Sequence, residues 1–367
     1  MENKPVIAGI SHGDINGIGY EVIMKALSDP AINDICIPIV YGSPKVAAYH
    51  RKALNINNFI FNNIRSAEEA HPRKANMINC LDDNTRVELG KSTPHGGEAA
   101  ILSLERAMSD LLSGKINVLV TAPIDKQNVQ SDNFRFNGHT EYLKDKAGPQ
   151  HEALMFMISE SMRIGIATGH VPLKKVPELI TNELLMRKLR LMNKSLMLDF
   201  GIRKPRIAVL GLNPHAGDNS LLGNEEAEII IPAIQQAQKE GILTFGPFPS
   251  DGFFGAGSFT KFDGILAMYH DQGLTPFKAL SFDSGVNFTA GLPFIRTSPV
   301  HGTAFAIAGR GEAMENSFRQ AIYLASDIFK NRLIYAEITK NPLRHQDIDI
   351  HSDRYDELPP EINTPEQ

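Results

Sequence analysis

Residues 263–278 read Asp-Gly-Ile-Leu-Ala-Met-Tyr-His-Asp-Gln-Gly-Leu-Thr-Pro-Phe-Lys, and this stretch decides the fold. Residues 264–268 are wholly apolar, the pattern of a short strand buried on both faces of a parallel sheet. Tyr269, His270 and Asp271 follow at once, so the strand delivers an imidazole and a carboxylate to a sheet edge. In open α/β sheets the carboxyl edge of the strands is where ligands bind. The pattern occurs twice more: 163–169 runs into His170, and 206–214 runs into His215. A single histidine after a strand is ordinarily structural or on the surface. Three at equivalent strand ends raise a second reading, a shared divalent-metal site with positions left open for substrate.

Outward from this stretch, strand and helix signals alternate. Apolar runs at 5–10, 35–41, 77–81, 116–122, 153–158, 163–167 and 285–291 predict strands, with 153–158 paired to 163–167 through a polar turn. Helices are expected over about 20–27, 44–54, 96–112, from Glu141, over 176–199, from about Glu226 to Lys239, and over about 312–331. The 176–199 helix carries Met186, Leu189, Met192 and Leu196 at helical spacing and stops at Gly201. Residues 59–83 are polar and poorly periodic, and 245–251 are extended and proline-rich, ending at Asp251 before a glycine-rich loop. The alternation gives an α/β protein with a largely parallel central sheet flanked by helices, in two lobes.

Composition narrows the function. The 367 residues carry a formal net charge of −5, with no basic excess to neutralise phosphates, so a nucleic-acid partner is not expected. Cys36 and Cys80 are far apart and form no CxxC, which suits a reducing cytoplasm. The first residues hold too short an apolar run for a signal peptide, and no run is long enough to span a membrane.

Three further stretches carry chemistry. Between the first strand and first helix, Gly13, Gly17 and Gly19 make a glycine-rich turn that lacks the GxGxxG spacing of a classical Rossmann fingerprint. Tight-turn glycines and close approach of an anion or nucleotide both explain it. The 116–122 strand ends in Thr121-Ala-Pro-Ile-Asp125-Lys126. His139 and Thr140 stand before the helix at Glu141, where an imidazole and hydroxyl suit an oxyanion or a plain helix cap.

Gly13-Asp-Ile-Asn-Gly-Ile-Gly-Tyr-Glu21, Thr121–Lys126, Asn137-Gly-His-Thr-Glu141, Gly169-His-Val-Pro172, Leu212-Asn-Pro-His-Ala-Gly217, Tyr269-His-Asp-Gln-Gly273 and His301-Gly-Thr-Ala304 occur in this order. Together they resemble the 4-hydroxythreonine-4-phosphate dehydrogenase family of vitamin B6 biosynthesis, over about residues 5–335. The first and last stretches are more distantly similar to the isocitrate and isopropylmalate dehydrogenases. The family's usual GDPAGIGPE reads here GDINGIGYE, and an acidic residue usual before His301 is Val300.

The resemblance implies an isocitrate/isopropylmalate dehydrogenase-like fold. Residues 1–30 and 200–335 would form a cofactor-binding lobe with the metal ligands, 31–199 a substrate and dimerisation lobe, and 336–367 a C-terminal arm. It implies a cytoplasmic homodimer with its active site at the subunit interface and a divalent metal (zinc, cobalt or magnesium) on His170, His215 and His270, one of them donated across the interface. Substrate contacts are implied for His139, Thr140, Lys278, Asn287 and Arg296, and NAD or NADP contacts for Gly13, Asp14, Gly17, His301, Gly302, Ala304 and Gly309. Asp251, Asp271 and Lys278 are the candidate catalytic residues, the two aspartates as partners that orient histidines or relay protons. The expected reaction is oxidative decarboxylation of 4-phosphooxy-L-threonine to 3-amino-2-oxopropyl phosphate. The alternatives are the same chemistry on a threonate or erythronate 4-phosphate or a cis-dihydrodiol, a metal-dependent phosphatase, and a non-catalytic sugar-phosphate sensor.

Overall fold

The computed structural model describes residues 5–131, 134–136 and 138–341. Its strands, in chain order, are β1 (Val6–Ser11), β2 (Cys36–Gly42), β3 (Asn62–Ile64), β4 (Asn76–Asn79), β5 (Val118–Thr121), β6 (Leu154–Ile158), β7 (Arg163–Ile166), β8 (Arg206–Leu210), β9 (Leu243–Phe248), β10 (Gly264–Ala267), β11 (Val286–Ala290) and β12 (Ile295–Pro299). All twelve belong to one sheet, in the order β3-β4-β2-β1-β5-β12-β11-β6-β7-β10-β8-β9. The block from β3 to β12 is parallel throughout. So is the block β7-β10-β8-β9. Between them, β11 is antiparallel to β12 and β6, and β6 is antiparallel to β7. The largely parallel sheet is as expected, the β6–β7 pairing included; its centre is antiparallel, and its two parallel blocks point in opposite directions.

The helices are α1 (Gly19–Leu27), α2 (Ile32–Ile35), α3 (Pro44–Ala53), α4 (Pro94–Leu112), α5 (His139–Ala147), α6 (Val176–Leu179), α7 (Asn182–Leu198), α8 (Ile231–Lys239), α9 (Ser250–Gly255), α10 (His270–Ser281) and α11 (Asn316–Ile338). Ser43, Thr93 and Thr181 cap α3, α4 and α7, each side chain accepting a backbone N–H of the first turn. Every residue of β2, β5 and β10 is buried, as their apolar runs require, and so is every residue of β12, polar ones included.

Two expectations change, and two elements were not foreseen. The helix read over 176–199 is two helices, because Ile180 is extended and Thr181 starts a fresh capped helix. The residues after β10 form α10, although Gly273 and Pro276 disfavour a helix. Gly273 makes room there: a Cβ would sit 2.6 Å from Ile166 Cδ1 and 2.9 Å from Ile164 Cγ2, so a larger residue would push those β7 side chains aside. The residues from Ile295 form a strand, which puts Arg296 inside the sheet. The last helix is displaced toward the C-terminus and takes in 336–338; the rest of the expected arm, 342–367, lies outside the described residues. Asp199, 1% exposed, ties that helix to the end of α7 by accepting from Arg332 Nε at 2.7 Å and Ser195 Oγ at 2.6 Å.

The departure at Tyr20 has a packing role. Its ring is fully buried between two imidazoles, with centroids 5.1 Å from His12 and 5.0 Å from His50. Its hydroxyl accepts from the Ser43 N–H at 3.0 Å. His50 Nε2 donates to the Ile15 carbonyl at 2.8 Å and His12 Nδ1 to the Gly13 carbonyl at 2.7 Å, so the stack braces the glycine-rich turn.

Burial pushes both histidines from 6.5 down to about 4. The unfolded chain takes up protons on them below pH 6.5 that the folded chain refuses. The stability they contribute is complete above that pH and is lost as pH falls toward 4, at about 1.4 kcal/mol per pH unit for each histidine. Denaturation followed across this window should show His50→Gln, which keeps a donor for Ile15, reducing proton uptake on unfolding by about one. An unchanged acid slope in that variant contradicts the assignment.

Candidate active site

β7, β10 and β8 are parallel neighbours, so their carboxyl ends share one edge. The Met268 backbone fastens the loops that leave them. Its carbonyl accepts from Thr168 Oγ1 at 2.8 Å, and its N–H donates to Gln272 Oε1 at 2.7 Å. Gln272 Nε2 then donates to the Gly211 carbonyl at 2.6 Å. Thr168, Met268 and Gly211 stand just before His170, His270 and His215, so one backbone unit and one glutamine set the relative heights of the three histidine loops.

Two of the three imidazoles meet. The His170 and His270 ring centroids are 5.1 Å apart, and both side chains line one cavity. Asp271 Oδ1 lies 2.7 Å from His270 Nδ1; accepting a proton from that nitrogen leaves Nε2 as a free lone pair. The His170 pKa is lowered by burial, and further by Lys126 and His270, which favours the neutral, ligating form. His215 is exposed on its own loop and does not line this cavity. Among the described residues, no three His, Cys, Asp or Glu side chains of one chain gather to hold a metal ion. The paired imidazoles are suitable donors, but two are fewer than the three protein ligands usual at a catalytic zinc. Asp251 is exposed at the start of α9 and does not line the cavity either.

The cavity, ≈ 230 Å³, lies over the antiparallel centre of the sheet. Register puts its floor on one face: Arg296 is opposite Leu119, Ser298 opposite Asn287, and Asn287 opposite Met157. Alternate residues share a face, so Thr121, Arg296, Ser298, Asn287, Met157 and Met155 all point into it. Arg296 is 3% exposed, and both its Nε and Nη2 donate to Thr121 Oγ1, at 3.0 and 2.7 Å. Its Nη1 is buried with no partner. Burial lowers its pKa to about 10, with Glu141 opposing, so the guanidinium stays charged at neutral pH.

The other walls are also short of partners. His139 Nε2, Asn287 Oδ1 and His301 Nε2 are buried without a hydrogen bond. Burial, then Arg296 and Lys126, holds His139 well below its ordinary pKa, and burial lowers His301. Among the charged side chains described in the lining, Lys126, Lys278 and Arg296 face Glu141 alone. Such a cavity suits an anion with several oxygen atoms, and its neutral imidazoles remain available as proton acceptors or ligands.

The two segments expected to hold the cofactor touch one another. Ile18 N–H donates to the Thr303 carbonyl at 3.0 Å, and a Cβ on Gly17 would lie 2.7 Å from that oxygen. Gly13, at φ +72°, comes so close to the end of β5 that a Cβ would meet Pro123 O at 2.3 Å. Asp14 is 1% exposed and already accepts from Asn16 N–H and Asn128 Nδ2, so it braces the turn. His301 and Gly302 line the cavity, Ala304 turns the chain with φ +45°, and Gly309 packs on Leu89.

Sequence reasoning brought His139, Thr140, His170, His270, Lys278, Asn287, Arg296, His301 and Gly302 to one place. It missed Thr121, Lys126, Glu141, Met155, Met157 and Ser298 as lining residues. Thr121 and Lys126 lay inside a quoted motif at a strand end, which was the available signal.

The family model described as "Pyridoxal phosphate biosynthetic protein PdxA" matches residues 34–325. A 4-hydroxythreonine-4-phosphate dehydrogenase of Bacteroides thetaiotaomicron is 52% identical over 347 residues, 94% of this chain and 95% of that protein. A provisionally named D-threonate 4-phosphate dehydrogenase of Oceanobacillus iheyensis is 39% identical, covering 89% of this chain and 99% of its own. The crystal structure of a 4-hydroxythreonine-4-phosphate dehydrogenase from Klebsiella pneumoniae superposes with a TM-score of 0.77 at 34% identity, over 88% of this chain and 99% of that one. No helix among the described residues is long and apolar enough to cross a membrane.

Thr121→Val keeps the shape of the side chain but removes the acceptor for two guanidinium N–H groups. Denaturant titration should show a loss of about 1–3 kcal/mol, with Thr121→Ser close to the parent. Equal midpoints for all three proteins would show that Thr121 does not hold Arg296.

Proposed function

The chain belongs to the PdxA family of pyridoxal phosphate biosynthetic proteins, and on that premise we propose that it is an NAD(P)-dependent dehydrogenase acting on 4-phosphooxy-L-threonine. The observation that carries the reading is the cavity's charge: three cations, one with an unused buried N–H, around a space the size of a small phosphorylated metabolite. In this reading Arg296, Lys278, His139, Thr140 and Asn287 hold the substrate's polar groups. Arg296 and Lys278 take the anionic oxygens, the arginine as a fixed fork and the lysine as a mobile point charge.

When bound, the nicotinamide would supply the hydride acceptor for the substrate C3–H, the C3 hydroxyl giving up its proton so that C3 becomes a ketone. The resulting β-keto acid loses CO₂ to give 3-amino-2-oxopropyl phosphate. The segment at Gly13 and Gly17, with the loop from His301 to Gly309, holds the cofactor; their contact through Thr303 supports treating them as one surface. Lys278 and Asp271 serve the proton steps, Asp271 through its bond to His270. Asp251 belongs to that set only through a partner copy, since it does not line this cavity.

His170, His215 and His270 are the proposed ligands of a divalent ion, zinc or cobalt ahead of magnesium because the donors are imidazoles. When bound, the ion supplies Lewis-acid polarisation of the alcohol and later the ketone oxygen. That His170 and His270 are the two proposed ligands which meet among the described residues of one chain supports a set completed between two copies of a homodimer.

The name of the Oceanobacillus relative favours a second reading, the same oxidation on D-threonate 4-phosphate. The two substrates differ at C2, amine against hydroxyl. Glu141, the one carboxylate among the described lining residues, favours the amine.

Reduced nicotinamide should appear with 4-phosphooxy-L-threonine and disappear on chelation. Phosphate release without any nicotinamide would point instead to a phosphatase. Arg296→Met or Lys278→Met should each raise KM about 10- to 100-fold, the worth of a charge-assisted bond. Preference for D-threonate 4-phosphate in a side-by-side assay would replace the first substrate with the second.

A further inference from the structure

After β8 the backbone enters an unusual turn. His215, Ala216, Gly217, Asp218, Asn219 and Ser220 have φ of 53°, 52°, 83°, 43°, 54° and 70°, six consecutive residues in the left-handed region. Side chains other than glycine avoid that region, and a run of them does not hold itself. Something must hold it, and the candidate is Glu226, which is 3% exposed. Its Oε1 accepts the Leu212 N–H at 2.7 Å and the Asn213 N–H at 2.8 Å, and its Oε2 accepts from Asn213 Nδ2 at 2.9 Å. The two backbone donors immediately precede Pro214 and the turn.

The surrounding sequence makes room for this carboxylate. A Cβ on Gly217 would lie 2.7 Å from Glu226 Oε2, and one on Gly211 would lie 2.9 Å from Ala216 Cα and 3.2 Å from Glu226 Oε1. A Cβ on Gly223 would lie 2.4 Å from Asn213 Nδ2. Glu226 also opens a five-residue π-helical turn, Glu226–Ile230, ahead of α8. Gln272 fixes the adjacent Gly211 carbonyl, so three consecutive residues leading into the turn, Gly211 to Asn213, are each held by a buried side chain.

We infer that Glu226 is a positioning residue: its carboxylate fixes the backbone at Leu212 and Asn213 and so holds the left-handed turn that presents His215. The inference rests on the reading of His215 as a site residue. Glu226 does not line the cavity.

Hydrogen exchange on the intact protein reads the hold directly. Glu226→Ala should speed exchange of the Leu212 and Asn213 amides at least about tenfold. It should lower kcat by about tenfold or more while KM for the phosphorylated substrate stays within about twofold, because the cavity cations are on other elements. Glu226→Gln keeps an acceptor for both backbone N–H groups and should recover most of the rate. If Glu226→Ala does not fold, Glu226→Asp, whose shorter side chain draws the carboxylate away from both N–H groups, should give the same exchange and kcat changes. Parental exchange and kcat in the folded Ala or Asp variant would overturn the inference. His215→Ala separates the two ideas: full activity there removes His215 from the site, whereas exchange at 212–213 in Glu226→Ala still reports the hold.

Discussion

A guanidinium that is 3% exposed, inside a sheet, is the constraint around which the cavity is organised. Burying an unpaired charge is costly, so Arg296 must be satisfied from nearby. Thr121, on the neighbouring strand β5, takes two of its N–H groups and leaves Nη1 with none. Bonds to Nη1 from within the chain would have closed the site. Among the described residues it has none, so a fixed charge keeps N–H donors available to a ligand. Burial, reinforced by the same cation, keeps His139 neutral, so the two buried groups of this wall differ in charge at neutral pH.

The sheet explains why such a wall stands next to the histidines. Two parallel blocks of opposite direction are joined by β11 and β6, and the cavity lies over that junction. The β5–β12 side contributes Thr121, Arg296 and Ser298. The β7–β10 side contributes His170 and His270 from loops tied together at Met268. A chain with a single parallel block would bring its strand ends to one edge but would not set cations from one block against imidazoles from the other.

Much of this was legible because burial dictates sequence. The apolar runs gave β1, β2, β5, β7, β8, β10 and β11, and the three histidines were visible because each follows such a run. What was hidden depends on register and close approach. Nothing local in Pro293–Arg296 shows that Ile295–Pro299 pairs with β5, so the Thr121–Arg296 contact could not be read from either motif. The helix α10 was masked by Gly273 and Pro276, both poor helix formers, and the close approach that Gly273 allows to β7 is tertiary. Asp14 looked like a ligand-facing acid in a glycine-rich turn, yet its oxygens serve Asn16 and Asn128. Tyr20 stood out only as a departure from the family pattern, and its place between His12 and His50 follows from packing across distant elements.

The central claim is that Arg296, Lys278 and Lys126 make this a site for a phosphorylated substrate. The most direct measurement is kcat/KM for 4-hydroxythreonine with and without its phosphate, at one salt concentration. A site whose buried donors await that group should favour the phosphorylated form by at least about a thousandfold. Values within a few-fold of each other would contradict the account, whichever of the two substrates was oxidised.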